Sequence, residues 1–339
     1  MGNLLTCLRW WTNYRNNSKV KLEMSVTPSA RRTRQRPRLV LNTDNHTPLD
    51  YSFPNVTDVT TDITTQFPSE WKLIGTGSRS VVYQTNHVLT GNCVAIKRIE
   101  VPCLRDNILT KTQRTQMCRQ LETEINCLRS LCHPQIMRLH SVSRDQRYLY
   151  LVTEVARGRD LFHQLQQHGP LPETTVHHII GDILRGIQYC HAQGVTHRDL
   201  KLENILVMTD SLDGPVKICD FGVSTNRKPP YHTLVGTTGY VAPEVSQGCY
   251  DQGCDLWALG VIMYTLFTGE LPFVSENSIE LRRLTAAAKW DRSRPIWKKI
   301  SHPAIHLLQH LLVADPENRY TATQALESTW LATAPTSPP

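Results

Sequence analysis

No C-x-x-C pair occurs in this 339-residue chain. Its ten cysteines are scattered, so the sequence offers neither the paired spacing of a structural zinc site nor a disulfide framework. Reduced thiols of a cytosolic or nuclear protein are expected instead. No charge-free apolar run reaches the roughly 20 residues that cross a bilayer; the longest, Leu256 to Phe267, has the length of a buried core helix. Internal repeats are absent too. The body of the chain also lacks an excess charge of one sign. Residues 1–41 hold nine Lys/Arg against one Glu, whereas the rest holds 28 against 29, so the net +7 belongs to a tail. A nearly neutral body gives no support to specific nucleic-acid binding.

What is present centres on His197-Arg198-Asp199-Leu200-Lys201-Leu202-Glu203-Asn204. This polar stretch sits between Val195-Thr196 and the apolar run Ile205-Leu206-Val207, which reads as a short loop pinned by apolar segments. Such a loop can offer Asp199 as proton acceptor, Lys201 against phosphate charge and Asn204 to a metal ion. A turn closed by its own side chains has a similar composition, so the loop becomes informative only if its complements follow in order.

They do. Trp71-Lys72-Leu73-Ile74 reads as a strand entering Gly75-Thr76-Gly77-Ser78-Arg79-Ser80-Val81-Val82, where glycines let backbone amides approach phosphates without an intervening Cβ. Val94-Ala95-Ile96-Lys97 alternates as a strand, and residues 101–115 read as a polar loop or insertion. Leu121, Ile125 and Leu128 recur at helical spacing beside Glu122 and Glu124. Tyr148 to Val152 is a buried strand running into the connector Thr153 to Gly158. Pro172 and Glu173 open an amphipathic helix with Val176, Ile179, Ile180, Ile183, Leu184 and Ile187 on its apolar face. Val216 to Cys219 is a strand ending in Asp220-Phe221-Gly222, and Ala242-Pro243-Glu244 follows Thr233 to Tyr240.

This ordered set, over about residues 70–332, resembles the eukaryotic-type protein kinases. It is closest in texture to the calmodulin-dependent and cyclic-AMP-dependent serine/threonine kinases. The resemblance implies an α+β bilobal fold, with a small antiparallel-sheet N-lobe (70–153) carrying one regulatory helix, a hinge (154–158) and a mainly helical C-lobe (159–332). It implies ATP and Mg²⁺ as cofactors and Ser/Thr hydroxyls of protein substrates as acceptors. ATP would lie under Ile74 to Val82, against Lys97 and along the backbone of Glu154 and Ala156. Glu124 would pair with Lys97, Asn204 and Asp220 would hold Mg²⁺, and Asp199 and Lys201 would be catalytic. Thr233 is the candidate activation phosphosite, its phosphate pairing with Arg198, while Thr237 would partner Asp199 and Lys201. Asp255 would hold the catalytic-loop backbone and Arg319 would pair with Glu244. Glu203, with Asp160 nearby, implies a preference for basic residues before the acceptor; Thr265 stands where some relatives carry an acid. The chain departs from the family at Ser80, which replaces the third loop glycine, and at Leu202. Ser80 is the one support for a rival reading, a pseudokinase scaffold that binds partners without turnover. A small-molecule kinase is disfavoured by the A-P-E segment.

Residues 1–69 are rich in Thr, Asn, Arg and Pro and read as a disordered basic tail; residues 333–339 read as a short C-terminal one. Met1-Gly2-Asn3-Leu4-Leu5-Thr6 matches the N-myristoylation pattern, and Cys7 beside it is a palmitoylation candidate. Acylated, the tail would bring a cytoplasmic enzyme to the inner leaflet; unmodified, it is a solvated linker. Arg31 to Arg38 fits a nuclear-targeting patch less well.

Overall fold

Period-two alternation builds the first layer of the computed structural model, which describes residues 59–60, 63–67, 70–77, 80–101, 110–145 and 147–332. Gly2, Cys7, the 31–38 patch, Ser78, Arg79 and the 333–339 tail lie outside the described residues. β1 (Val59–Thr60), α1 (Ile63–Gln66), β2 (Lys72–Thr76), β3 (Ser80–Asn86) and β4 (Cys93–Glu100) precede α2 (Lys111–Ser130), and β5 (Leu139–Arg144) and β6 (Tyr148–Thr153) follow it. The strands form one sheet in the order β1-β5-β6-β4-β3-β2, with only β1–β5 parallel.

Because neighbours along a strand face opposite ways, β4 serves two surfaces. Val94 and Ile96 join Tyr150 and Val152 of β6 in one apolar cluster. Lys97 lies on the other face, registered between Val82 and Leu151. The cluster also contains Ile63 and Phe67, with Trp71 packed against it. Two bonds tie this segment down: Trp71 Nε1 donates to the Phe67 carbonyl at 3.1 Å, and the Val88 amide donates to the Gln66 carbonyl at 3.0 Å. Residues 63–67, ahead of the boundary expected at residue 70, also supply buried apolar side chains to this sheet. The polar insertion expected over 101–115 is also shorter. From Lys111 it is helix, started by a reciprocal capping box between Thr110 and Gln113.

The second layer is helical. It comprises α3 (Leu161–His168), α4 (Glu173–Ala192), the hairpin β7 (Ile205–Val207) and β8 (Val216–Ile218), α5 (Pro243–Gln247), α6 (Gly253–Thr268), α7 (Ser278–Ala287), α8 (His302–Leu311), α9 (Ala322–Leu326) and α10 (Thr329–Ala332). Every residue of α6 from Cys254 to Phe267 is buried, as a helix apolar around its circumference must be. It ends at Gly269, whose left-handed φ of 76° returns an amide to the Thr265 carbonyl. Arg319 and Glu244, both buried, pair at 2.6 Å and join the C-terminal helices to α5. The β7–β8 hairpin, between α4 and α5 in sequence, follows directly on the polar loop at 197–204.

Candidate active site

Two chain segments converge on Lys97 of β4. Its ammonium lies 2.6 Å from Glu124 Oε1 and 3.6 Å from Asp220 Oδ1. The helix thus brings Glu124, not Glu122, to the lysine. Burial alone would lower the Lys97 pKa, but Glu124 and Asp220 outweigh it and raise it, so the ammonium stays charged. The charge of Lys97, assisted by His197 and Lys201, holds the Asp220 carboxyl below its ordinary range despite burial. Phe221 is fully buried and meets the His197 ring edge-on at 4.9 Å, which anchors the turn that carries Asp220.

The loop itself is suspended from α6. Asp255, 1% exposed, accepts the His197 amide at 2.9 Å, the Arg198 amide at 2.8 Å and His191 Nε2 at 2.9 Å. Arg198 and Asp220 have left-handed φ values of 68° and 64°, a conformation that costs a non-glycine residue of order 1–2 kcal/mol; the bonds to Asp255 hold the first of them. His197 Nδ1 accepts the Asp199 amide at 3.2 Å, so Nε2 carries the hydrogen given to the Cys219 carbonyl at 3.1 Å. That ring therefore couples the loop to the Asp220 turn.

At the loop's tip, Lys201 Nζ lies 3.0 Å from Asp199 Oδ2. Thr237 Oγ1 donates to Asp199 Oδ1 at 2.6 Å and accepts from Lys201 Nζ at 2.9 Å. Asn204 Nδ2 donates to the Asp199 carbonyl at 2.8 Å, which leaves its amide oxygen as an acceptor, and its backbone carbonyl takes the Cys219 amide at 2.9 Å, one residue before Asp220. Asn204 and Asp220 form an oxygen-only donor pair, the hard-ligand chemistry that suits Mg²⁺, an ion content with few protein ligands. In the glycine loop, the Gly77 amide bonds the Ser80 carbonyl at 2.7 Å. A Cβ on Gly77 would stand 2.7 Å from Ser80 Oγ, so the serine occupies the space the second glycine leaves. A Cβ on Gly75 would meet Val82 at ordinary van der Waals distance, 3.6 Å.

The connector is braced from behind. Glu154 bonds Lys217 Nζ at 2.6 Å and accepts the Arg138 amide at 2.8 Å. Its own amide turns back to the Arg138 carbonyl at 3.3 Å, and its carbonyl accepts Thr153 Oγ1 at 3.1 Å. A Cβ at Gly158 would come 2.2 Å from the Thr209 carbonyl, so only glycine closes this connector onto β7.

A protein kinase domain family model matches residues 69–331. The chain belongs to the protein kinase family. Calcium/calmodulin-dependent protein kinase type 1B of Rattus norvegicus is 35% identical over 275 residues, spanning 80% of this chain and 77% of the relative. A probable myosin light chain kinase of Dictyostelium discoideum is 33% identical, spanning 77% and 73%. The serine/threonine-protein kinase H1 homolog of Pinctada fucata is 36% identical, spanning 76% and 60%. With these relatives the chain is a protein serine/threonine kinase acting on protein substrates, in the bilobal fold its sheet and helical layers display. The kinase also contains functional-site residues that motif reading passed over: Lys217 behind the connector, and Tyr231 and Tyr250 beside Arg198. None has a periodic or spaced signal; only the fold brings them together.

Proposed function

We propose that this kinase transfers the γ-phosphoryl group of ATP in line to a Ser or Thr hydroxyl, with Asp199 as proton acceptor. The observation that carries the assignment is the triangle of Asp199, Lys201 and Thr237: a hydroxyl already donates to Asp199 Oδ1 at 2.6 Å, within the reach a general base needs. Lys201 holds the other carboxylate oxygen and adds positive charge where the transferred group would sit. Lys97, kept extended by Glu124, is placed to meet the inner phosphates. Asn204 and Asp220 would hold Mg²⁺, which supplies charge neutralisation across the phosphate oxygens when bound. Positioning and electrostatics then do most of the catalysis.

For the test, phosphate transfer from radiolabelled ATP to a basic serine peptide is measured with Mg²⁺. The Asp199→Asn variant should lose about 10²- to 10⁴-fold in kcat with ATP affinity nearly unchanged. Equal rates in the two proteins would remove Asp199 from its role. The pseudokinase alternative is not favoured, because Lys97, Glu124, Asp199, Asn204 and Asp220 are all in place.

The acceptor side carries its own acid. Glu203 Oε2 is buried without a partner, and burial pushes its carboxyl above the ordinary range, with Asp160 among the charges adding to this. A substrate cation would satisfy that oxygen. Thr265 is fully buried and bonded to the Val261 carbonyl at 2.7 Å, so it leaves the task to Glu203 and Asp160. A preference for Arg or Lys upstream of the acceptor follows. On a positional peptide array, wild type should select these residues and Glu203→Gln should lose at least part of the selection; a flat array for wild type rejects the preference.

A further inference from the structure

The segment between Phe221 and Ala242 is held in place by two tyrosines. Tyr231 and Tyr250 exchange both backbone bonds, at 2.7 and 3.2 Å, and their rings meet edge-on at 5.4 Å. They are 5% and 4% exposed. Tyr231 Oη shares a bond of 2.9 Å with Thr196 Oγ1, just before the catalytic loop. Tyr250 Oη donates to the Thr233 carbonyl at 2.6 Å and accepts from Arg198 Nη1 at 3.3 Å. Arg198 Nε donates to the Val223 carbonyl at 2.7 Å and Nη2 to the Ser224 carbonyl at 3.3 Å, and its guanidinium carbon lies 5.9 Å from the Tyr231 ring centroid.

All three guanidinium nitrogens of Arg198 are therefore donating to neutral oxygens of the segment itself. Among the described residues it is the one cation bonded to this cluster. A phosphate orders a loop most effectively opposite several arginines with free donors. Here a phosphate on Thr233, an exposed residue, would reach Arg198 only by competing with the three bonds that arginine already makes. Meanwhile Thr237, farther along the same segment, already touches Asp199 and Lys201. The segment has its productive path without added charge.

We propose that Tyr231 and Tyr250 are positioning residues that substitute for an activation phosphate, with the Tyr250 hydroxyl bridging Arg198 to the Thr233 backbone, so that the enzyme turns over unphosphorylated. The proposal rests on the kinase reading of this site. It separates the Thr233 position from the on-switch: modification there would adjust the rate rather than create it.

The test uses the full chain, expressed in bacteria, stripped with phosphatase and shown by intact mass to carry no phosphate. Initial rates are measured with a basic serine peptide, and ATP binding is followed separately by titration. Unphosphorylated wild type and Thr233→Ala should have kcat values within about threefold of each other and of protein phosphorylated at Thr233 by an added kinase. Tyr250→Phe keeps the ring and removes the bridge. It should raise the peptide KM about tenfold, the scale of one or two lost hydrogen bonds, without moving the KM for ATP or the melting temperature by more than a few degrees. Peptide turnover that appears only after Thr233 is phosphorylated, while ATP binds throughout, overturns the proposal and leaves the kinase reading standing. An unchanged peptide KM in Tyr250→Phe, with Tyr231→Phe equally silent, overturns the clamp. Loss of both ATP binding and turnover in unphosphorylated wild type sinks the proposal together with the reading beneath it.

Discussion

At Lys97 the chain commits a cation to a site where water is scarce, and the choice of counter-charge decides whether that cation reaches a phosphate. Glu124, 5% exposed, supplies the shorter contact and Asp220 the longer. Glu124→Gln keeps shape and removes charge. Breaking a buried pair from one side costs about 3–5 kcal/mol, and Asp220 as a second partner moves the expected loss to the lower end. The lysine should then lean toward Asp220, so kcat/KM for ATP should drop at least about tenfold while the fold persists; activity equal to wild type would show that Asp220 alone positions the lysine. Residues of this kind were legible in the sequence because the chemistry dictates both their type and their order. Tyr231 and Tyr250 were not, since an aromatic ring in a loop has no period to betray it, and neither was Lys217, one more cation on a short strand.

Elements were legible where their period was sustained and obscure where a few residues do the packing. The buried helix from Gly253 and the amphipathic helix from Glu173 declare themselves by pattern. The strap formed by α1 and Phe67 does not: it contributes only Ile63 and Phe67 to the sheet's outer face, too few to set a period against its polar surroundings. The start of α2, residues 111–115, was read as loop for a related reason, although its capping box, Thr110 with Gln113, is a local helix-start signal. The strap makes a clear prediction. Phe67 is 2% exposed, and Phe→Ala in a core costs about 3–5 kcal/mol. For a domain of this size, about 2–4 °C of melting temperature follows each kcal/mol. Phe67→Ala, or truncation to residue 69, should therefore lower the melting temperature by about 6 °C or more. Thermal unfolding of the two proteins beside wild type checks this; a truncated protein as stable as the full chain would make the strap a passive appendage.

Across the whole molecule the sheet brings Lys97, α2 brings Glu124, and the loop after α4 brings Asp199, but α6 decides where that loop stands. The order of these parts can be read along the chain; the suspension of one layer's chemistry from another layer's central helix cannot, because it depends on which buried acid meets which backbone amides. Asp255 is that acid. Burial alone would raise its pKa, yet the hydrogen bond and charge of His191, with His197 and the Arg198 amide, carry it below the ordinary carboxylate range. A carboxyl whose pKa is lower folded than unfolded stabilises the protein above its unfolded value of about 3.9, and that contribution fades as pH falls through the folded value. Asp255→Asn should therefore be least stable relative to wild type at neutral pH, by about 3–5 kcal/mol, with the gap narrowing below about pH 4. Denaturant unfolding at pH 7 and at pH 3 measures it. A gap that stays constant across that range would mean that Asp255 supports the catalytic loop by shape rather than by charge, and would transfer the anchoring of His197 and Arg198 to the packing around them.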